Sequence, residues 1–440
     1  MFLFIHSGES LIDVILKLLL LILMTYPIIG SLSWFIGVLY YKYLFKHKQT
    51  EWIDIPTEIE PMITIMVPAH NEEITINHTI NYLMTEMNYS NYEVLVLDDG
   101  STDKTPEILK TLMRKYEKLR VIRIEENKGK AHAFNVGVAF AKGEFILSND
   151  ADTVPEPDAL WKYINYFIKQ ESFNIAAVTA NMDVKNRTTI LGKSQTVEFS
   201  SIVGIIKRTQ AGVLGSLYAY SGANTMYRKA ALIDVGLFRQ DRATEDISIA
   251  WDHQCKDWLA VFAPDILFYM EVPESLRMLY RQRRRWAKGG TEVWLTNVKL
   301  IVQNPFKHIG RTVMFIDQTL SIMWSFVFWL ASFLFIVLLL HSLMEGDMER
   351  VYRMLTMNAI FVSFEMIAGV LQLGISMIID NHGKKLKYFL FSPFYMLLFW
   401  MMNALTIVTT FIPAIRTILG HGDGTWQSPE RQNDGDFVSE

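Results

Sequence analysis

Apolar residues are concentrated in two blocks of the chain, 11–45 and 313–412, whereas 46–305 has the mixture of a globular domain. A helix needs roughly 20 mostly apolar residues to cross a bilayer. Three stretches in the second block meet this requirement, namely 322–340, 355–379 and 388–412. The pattern therefore predicts a membrane protein with a large globular domain between its apolar ends.

The N-terminal block is longer than one span requires, and it contains Pro27. It fits either one helix or two, at 11–24 and 27–45, with two slightly favoured. Asp13 and Lys17 are four residues apart, so they can pair on one helix face, which lowers the cost of inserting them. The segment has no basic start and no small-residue cleavage site, which argues against a cleaved signal peptide.

Basic residues in the short loops indicate the orientation. Lysines follow the N-terminal block and separate the last two predicted spans: Lys46, Lys48, Lys384, Lys385 and Lys387. Because basic loops face the cytosol, the central domain is predicted to be cytosolic. The single cysteine, Cys255, excludes an intrachain disulfide and fits a reducing compartment. The net charge of −4 gives no reason to expect nucleic acid as a partner.

The central domain alternates between strand and helix patterns. Short β-branched runs lie at 62–67, 93–97, 120–124 and 145–147, and helical stretches lie between them at 72–86, 103–115 and 129–142. This alternation predicts an α/β fold with a mostly parallel sheet covered by helices on both faces. Ligands of such sheets bind beyond the carboxyl ends of the strands.

Polar segments follow each of these strands. They are PAHNEE (68–73), DDGSTD (98–103), ENKGKAHAFNVG (126–137) and NDAD (149–152). Asp150 and Asp152 are two positions apart, so their carboxylates can converge on one cation, and oxygen ligands suit Mg²⁺ or Mn²⁺. Taken alone, NDAD fits a solvated acidic turn at least as well. Lys130 follows Gly129 at a predicted helix N-terminus, where the positive end of the helix dipole attracts phosphate.

Two further segments carry charged groups in patterns that favour a catalytic or substrate-binding role. ATEDIS (243–248) places Glu245 and Asp246 at the start of a helix, where carboxylates are also favoured for structural reasons. In RQRRRWAKGG (281–290), Gln282, Arg285 and Trp286 share one helix face. For the other arginines of that segment, Arg281, Arg283 and Arg284, the favoured interpretation is contact with anionic lipid headgroups.

Taken together, these motifs resemble a known family. P-A-H-N-E, D-D-G-S-T-D, N-K-G-K, D-A-D, T-E-D and Q-x-x-R-W, in this order, look like the processive, inverting members of glycosyltransferase family 2, such as cellulose, chitin and hyaluronan synthases. The resemblance covers about residues 25–431. It implies a Rossmann-like GT-A catalytic domain (47–305) with an interfacial helix near 276–296, between a membrane segment (1–46) and about three membrane helices (306–419), followed by a tail (420–440).

The resemblance also implies roles for particular residues. Asp99 would hold the uracil of a UDP-sugar, Asp150 the nucleoside end, and Asp152 a Mg²⁺ or Mn²⁺ ion on the diphosphate. Further substrate-binding residues would be Asn71, Glu72, Lys130, Gln282 and Trp286, the last stacking on the acceptor sugar. The catalytic residues would be Asp246, Glu245 and Arg285, with Asp246 as the general base and Arg285 facing the diphosphate. An inverting transfer needs such a base because a sugar hydroxyl is a poor nucleophile.

Within the family, three segments look most like bacterial poly-β-1,6-N-acetylglucosamine synthases: 198–210, 272–275 and 284–293. We therefore expect polymerisation of N-acetylglucosamine from UDP-GlcNAc onto a growing polysaccharide, at the bacterial inner membrane and in contact with lipid. A small membrane accessory subunit is a further partner that the resemblance suggests. The chain departs from the pattern at 181–183 (NMD for Asn-Pro-Arg), 268–269 (Phe-Tyr for Cys-Trp) and 288 (Lys for Gln), which leaves sugar and linkage less defined than UDP binding.

Alternatives stay open at this stage. The chain could make chitin oligosaccharides or a hyaluronan-type polymer, or it could be a non-catalytic scaffold of an export complex. Glu365 lies inside a predicted span, which makes it a hypothesis for a polymer channel, with a hydrogen bond between helices as the alternative. The tail segment 426–431 resembles a family signature that would be cytosolic, yet three spans would place it outside.

Overall fold

The computed structural model describes residues 11–45, 60–169, 174–380 and 384–420. Lys46, Lys48 and the tail motif at 426–431 lie outside the described residues, as does the side chain of Asp13. The predictions made for these positions are therefore not tested.

The central domain is built on one mixed sheet of eight strands. The strands are β1 (Ile63–Ala69), β2 (Tyr92–Asp99), β3 (Leu119–Ile124), β4 (Phe145–Asn149), β5 (Val154–Pro155), β6 (Ile175–Val184), β7 (Asn224–Arg228) and β8 (Leu259–Met270). Their order is β3-β2-β1-β4-β7-β6-β8-β5. The predicted strands at β1 to β4 are confirmed and form a parallel block.

Helices cover both faces of the sheet and extend beyond it. They are α1 (Leu11–Tyr40), α2 (Ile76–Thr85), α3 (Thr105–Lys115), α4 (Lys130–Phe140), α5 (Ala159–Lys169), α6 (Ile190–Ser201), α7 (Lys229–Asp234), α8 (Glu245–Cys255), α9 (Leu276–Gln303), α10 (Ile309–Glu345), α11 (Met348–Ile379) and α12 (Ser392–Ile418). Two π-helical segments, Ile202–Lys207 and Gln210–Leu214, continue α6.

The alternation of side chains along a strand explains the two cores. Ile63, Ile65 and Val67 of β1 pack on one face of the sheet, and Met66 packs on the other. All four are fully buried. Covering helices on both faces account for strands that are apolar at almost every position, as expected for a parallel α/β sheet.

Among the described residues, four helices are long and apolar enough to cross a membrane. These segments are Lys17–Tyr43, Ile309–Glu345, Met348–Ile379 and Lys385–Ile418. They include the three spans predicted near the C-terminus, so a membrane protein with a mixed α/β domain between apolar helices is confirmed.

The preference for two N-terminal helices is wrong, because α1 continues through Pro27. Proline removes one backbone hydrogen bond and leaves the carbonyl four residues earlier without its usual donor. In α1 that carbonyl belongs to Leu23, and it accepts a 3.0 Å hydrogen bond from the indole N–H of Trp324 in α10. A neighbouring helix therefore supplies the missing donor, as is common for proline in membrane helices.

The NMD segment, a departure from the family pattern, contacts the end of α11 and the 3₁₀ segment Lys384–Phe391. The buried Asp380 carboxylate accepts hydrogen bonds from Asn181 at 3.1 Å and from Lys385 at 2.8 Å. Lys385 also lies 3.2 Å from Asp183. This network joins the end of β6 to the membrane helices, so the unusual residues have a defined structural use.

Candidate active site

Parallel pairing brings the carboxyl ends of three strands to one edge of the sheet. Ala69 at the end of β1 pairs with Asp98 in β2, and β4 runs on the other side of β1. Because β7 is antiparallel to β4, its first residue, Asn224, pairs with Asn149 at the end of β4. The loop before β7 therefore lies at the same edge as the motifs that follow β1, β2 and β4.

Asp99 ends β2 and faces the loop before α4. Its carboxylate accepts hydrogen bonds from the backbone N–H groups of Lys128 at 3.2 Å and Gly129 at 2.9 Å. Burial raises the pKa of Asp99, and these two hydrogen bonds act in the opposite direction. Gly129 has a φ of 91°, a conformation that favours glycine. Asp99 thus fixes the N-K-G loop, and each of its oxygens keeps a free lone pair.

Asn71 and Glu72 shape the turns beside this edge. The Asn71 amide oxygen accepts a 2.8 Å hydrogen bond from the Thr102 N–H, and the Asn71 N–H donates to the Ser101 hydroxyl at 3.0 Å. Glu72 is buried and accepts from the Thr75 hydroxyl at 2.9 Å. Both residues lie near the predicted rim, where their observed contacts hold the D-G-S-T turn and the start of α2.

Lys130 lies at the centre of a charged cluster. Its buried ammonium is 2.6 Å from Asp150 and 3.3 Å from Glu245, and it donates to the Gly222 carbonyl at 3.1 Å. Burial disfavours the ammonium, but the charges of Asp150 and Glu245 outweigh this effect and raise the pKa of Lys130. Lys130 therefore ties the end of β4 to the start of α8, which is distant in sequence.

Asp246 follows Glu245 at the start of α8. Its carboxylate accepts hydrogen bonds from the backbone N–H of Gly222 at 3.0 Å and from its neighbour Ile247 at 2.9 Å. Burial, together with the negative charge of Glu245, raises the pKa of Asp246 to about 6, and the charges of Lys130 and Arg285 oppose the rise. Asp246 is thus a half-buried carboxylate that changes charge just below neutral pH, which suits a general base.

Glu245 differs from its neighbour because it has the stronger counter-charges. Burial alone would raise its pKa, but Lys130 and Arg285 outweigh burial and lower it. The two neighbouring carboxylates therefore differ. Nearby cations keep Glu245 ionised, whereas the negative charge of Asp246 is compensated less completely. Arg285 of α9 acts on both, so the structure brings T-E-D and Q-x-x-R-W together.

Asp152 lies with Asp150 in the turn beyond β4, whose last residue is Asn149, and its negative charge acts on Asp150. The hydroxyl of Thr153 donates to the Asp152 carboxylate at 3.0 Å. The charge of Asp150 is already met by the Lys130 ammonium at 2.6 Å. Among the described residues, no group of three His, Cys, Asp or Glu side chains could by itself hold a metal ion. A single carboxylate fits Mg²⁺ or Mn²⁺ when substrate phosphates supply other ligands.

The α9 helix carries the Q-x-x-R-W residues on a half-buried face. Trp286 packs near Val184, Phe199 and Val272, at the far end of β6 and β8. The buried Gln282 side-chain oxygen has no hydrogen-bond partner among the described residues, so it is available to a ligand. Arg285 is half-buried beside the two carboxylates.

The lipid-facing interpretation is wrong for Arg283. This residue is 3% exposed and forms an ion pair with Glu198 of α6, and its guanidinium carbon lies 4.1 Å from the centre of the Trp286 ring. Arg281 and Arg284 are exposed. Glu198 is distant in sequence and gave no local signal.

A cavity of roughly 390 Å³ lies between the catalytic domain and the membrane helices. Its lining is mixed, with tryptophans and polar side chains from four helices: Trp34, Trp324, Trp400, Asp317, Gln318 and Gln372. Ile206 and Gln210, from the π-helical segments after α6, also line it. Aromatic and polar groups together are suited to sugar rings, whose faces are apolar and whose edges carry hydroxyls.

Glu365 is not part of this lining. It lies two turns from Gln372 on the same face of α11 and is 7% exposed. One of its carboxyl oxygens has no hydrogen-bond partner among the described residues. That oxygen therefore does not form the interhelical hydrogen bond that was the alternative. Glu365 does not line this cavity, and its part in a polymer channel stays a hypothesis.

Sequence reasoning missed Gly222, which contacts both Lys130 and Asp246. The segment Ser221-Gly222-Ala223 immediately precedes β7, which begins at Asn224. A glycine between two small residues was the available signal, since glycine permits close approach of the backbone.

A mixed α/β sheet with acidic groups at its carboxyl edge, joined to apolar helices, defines a membrane-associated glycosyltransferase of the GT-A type that uses a nucleotide-sugar donor. Residues 64–236 match the model of "Glycosyl transferase family 2". The chain is 31% identical over 415 residues to a poly-β-1,6-N-acetyl-D-glucosamine synthase of Staphylococcus epidermidis, covering 93% of this chain and 98% of the relative. The chain belongs to glycosyltransferase family 2.

Other comparisons agree. A synthase of the same name from Staphylococcus aureus is 30% identical, with 93% of this chain and 98% of that protein covered. Among solved structures, the mannosyltransferase PcManGT from Pyrobaculum calidifontis, in complex with GDP-Man and Mn²⁺, has a TM-score of 0.55 and 19% identity, covering 82% of this chain and 99% of that one. The structural likeness confirms the fold.

Proposed function

We propose that this protein polymerises N-acetylglucosamine from UDP-GlcNAc into poly-β-1,6-N-acetylglucosamine, by a processive and inverting mechanism, with its catalytic domain in the cytosol. The observation that carries the proposal is the cluster in which Lys130 links Asp150 to Glu245 beside Asp246. It is supported by similarity over 93% of the chain to proteins named as such synthases. A polysaccharide acceptor and an accessory subunit stay predictions.

The donor would bind along the carboxyl edge of the sheet. Asp99 would accept the imide N–H of uracil, and Asp150 would contact the nucleoside end of the donor. Asp152 would hold Mg²⁺ or Mn²⁺ together with the diphosphate. When bound, such an ion neutralises charge that grows on the leaving UDP.

Asp246 would act as the base of the transfer. At neutral pH it is mostly deprotonated, since its pKa is about 6. A hydroxyl of the acceptor sugar attacks the anomeric carbon, its proton passes to the Asp246 carboxylate, and the bond between that carbon and the diphosphate oxygen breaks. The configuration inverts because attack and departure occur on opposite faces. Arg285 would stabilise the negative charge on the departing diphosphate.

The acceptor would lie between the base and the cavity. Trp286 offers a ring for stacking against the terminal sugar, and Gln282 offers a buried oxygen for one of its hydroxyls. The roughly 390 Å³ cavity lies among α1, α10, α11 and α12. Export of the polymer through the membrane region is the use of this cavity that we propose.

The test is polymer synthesis by the purified full-length protein in lipid nanodiscs with Mg²⁺ or Mn²⁺. Radiolabelled UDP-GlcNAc and UDP-glucose are supplied separately, and the product is digested with a β-1,6-specific hexosaminidase or with chitinase. We expect polymer from UDP-GlcNAc alone, sensitive only to the first enzyme. Sensitivity to chitinase would favour chitin-type synthesis instead, and polymer from neither donor would overturn the proposal.

A further inference from the structure

Arg283 is a buried arginine of α9 that the proposed reaction does not use. It occupies an open position of the Q-x-x-R-W motif, and it forms an ion pair with Glu198 of α6, which is also buried. The Nε–H of its guanidinium has no hydrogen-bond acceptor among the described residues. A buried ion pair that is only partly hydrogen-bonded adds little net stability compared with apolar residues of similar size. Stability alone therefore does not account for a guanidinium at this place.

The Trp286 ring lies directly against this guanidinium. The guanidinium carbon of Arg283 is 4.1 Å from the centre of the ring. Carbon atoms in contact stay about 3.5–4.0 Å apart, so an approach from the ring edge would add the radius of the ring to this distance. The guanidinium therefore covers one face of the ring, the stacked arrangement that arginine forms with aromatic residues. An acceptor sugar that stacks on Trp286 has only the opposite face.

Contacts from three helices hold Arg283 in this position. On α9, Arg283 and Trp286 are three residues apart and are therefore neighbours on the helix surface. From α6, the Glu198 carboxylate accepts a hydrogen bond from a terminal nitrogen of the guanidinium. From α12, the Phe399 ring has its centre 5.9 Å from the guanidinium carbon. Trp286 itself is half-buried, so part of its ring is left to a ligand.

We infer that Arg283, held by Glu198, is a positioning residue for Trp286: its guanidinium fixes the ring in the orientation that stacks on the acceptor sugar. The inference rests on the proposed role of Trp286 as the acceptor contact. Fixing the ring beforehand removes an entropic cost that acceptor binding would otherwise carry. The donor does not contact Trp286 in the proposed reaction. Loss of the guanidinium is therefore expected to weaken acceptor binding and to leave donor binding unchanged.

The first experiment measures KM for the donor and for the acceptor separately, with the full-length protein in nanodiscs. The donor is UDP-GlcNAc, and the acceptor is a short β-1,6-linked N-acetylglucosamine oligosaccharide. The test variant combines Glu198→Leu with Arg283→Met, which removes both buried charges together and leaves neither unpaired. We expect KM for the acceptor to rise on the order of 10-fold, with KM for UDP-GlcNAc and kcat at saturating acceptor within about twofold of wild type. An unchanged KM for the acceptor would overturn the inference.

Arg281→Met is the matched control. Arg281 lies on the same helix but is exposed, so this variant removes an arginine without opening space beside Trp286. Both KM values should stay at those of wild type. A rise of KM for the acceptor equal to that of the test variant would contradict a specific role for Arg283.

A double-mutant cycle tests whether Arg283 acts through Trp286. Trp286→Ala alone should raise KM for the acceptor at least as much as the paired change at Glu198 and Arg283. Adding the paired change to Trp286→Ala should raise this KM no further, because the ring that Arg283 positions is already absent. Effects that multiply would mean that Arg283 acts on the acceptor independently of Trp286, and the inference would then be wrong.

A spectroscopic measurement does not depend on polymer synthesis. The protein is labelled with fluorotryptophan, and the fluorine resonance of Trp286 is identified by its absence in Trp286→Phe. We expect one resonance in wild type, and a displaced or split one in the paired variant, because the ring then occupies several rotamers. A single resonance at the wild-type position in that variant would exclude the positioning role. If the oligosaccharide did not shift the wild-type resonance, the result would count against the proposed acceptor contact only.

Discussion

The backbone N–H of Gly222 donates a 3.0 Å hydrogen bond to the Asp246 carboxylate. The carbonyl of the same residue accepts from the Lys130 ammonium and from the Ser148 hydroxyl. One peptide segment before β7 therefore holds both the proposed base and the lysine that links Asp150 to Glu245. Its position follows from the antiparallel pairing of β7 with β4.

Gly222→Ala is predicted to lower kcat by on the order of 10- to 100-fold, because small displacements of reacting groups are costly. A Cβ at this position would lie 3.0 Å from both the Glu245 carboxylate and the Lys130 ammonium. The charged groups must therefore shift by a few tenths of an ångström. Gly374→Ala is the control, since its nearest contact would be an ordinary 3.4 Å. Equal activity of Gly222→Ala and wild type would contradict the proposed geometry.

The proposed base predicts an acid limit to activity. The pKa of Asp246 is raised to about 6, so as pH falls through this value the carboxylate gains a proton and can no longer accept one. We expect kcat/KM to fall about tenfold per unit below this pH and Asp246→Asn to lose roughly 10²- to 10⁴-fold at pH 7. Asp252→Asn, on the same helix and paired with Arg239 at 2.7 Å, is the control. Polymer synthesis that survives Asp246→Asn would exclude Asp246 as the base.

The metal proposal predicts unequal effects for the two aspartates after β4. Asp152→Asn should raise the Mn²⁺ concentration for half-maximal activity by at least 10- to 100-fold, because a direct ligand is lost. Asp150→Asn should leave this concentration closer to that of wild type, because Asp150 is engaged by Lys130 at 2.6 Å. Titration of chelated protein with Mn²⁺ provides the measurement. Asp158→Asn, which removes an exposed contact with Asn88, is the control.

Local patterns in the sequence were enough for the strands and for the polar segments after them. The position of Asp150 and Asp152 just after β4 follows from the apolar run before them, and the presence of Gln282, Arg285 and Trp286 on one helix follows from the helical pattern. Contacts between distant segments could not be predicted in this way. The sequence around Lys130 does not indicate that its partner is Glu245, and the sequence around Arg283 does not indicate Glu198. These ion pairs form only when α4 packs near α8 and α9 packs near α6.

Long-range packing also explains what local patterns do not determine at the membrane helices. Pro27 alone indicates a break, because its local effect is to remove a hydrogen bond. The compensating donor, Trp324, is about 300 residues away. Similarly, Glu365 and Gln372 share a helix face, but the ends of the cavity are set by the neighbouring helices. The helical pattern therefore predicts which side of its helix a residue occupies. What that side contacts is determined only by the packing of the helices against one another.

The buried ion pair between Glu198 and Arg283 gives a stability prediction. Glu198→Gln leaves the Arg283 guanidinium buried without its counter-charge, and we expect a loss of roughly 3–5 kcal/mol in the free energy of unfolding. Thermal unfolding in nanodiscs should show it as a lower midpoint. Glu144→Gln removes the exposed partner of Arg228 and should cost less than about 1 kcal/mol. The double variant Glu198→Leu with Arg283→Met should recover most of the stability, because no unpaired charge remains. If Glu198→Gln unfolded no earlier than Glu144→Gln, the pair would not support the contact between α6 and α9.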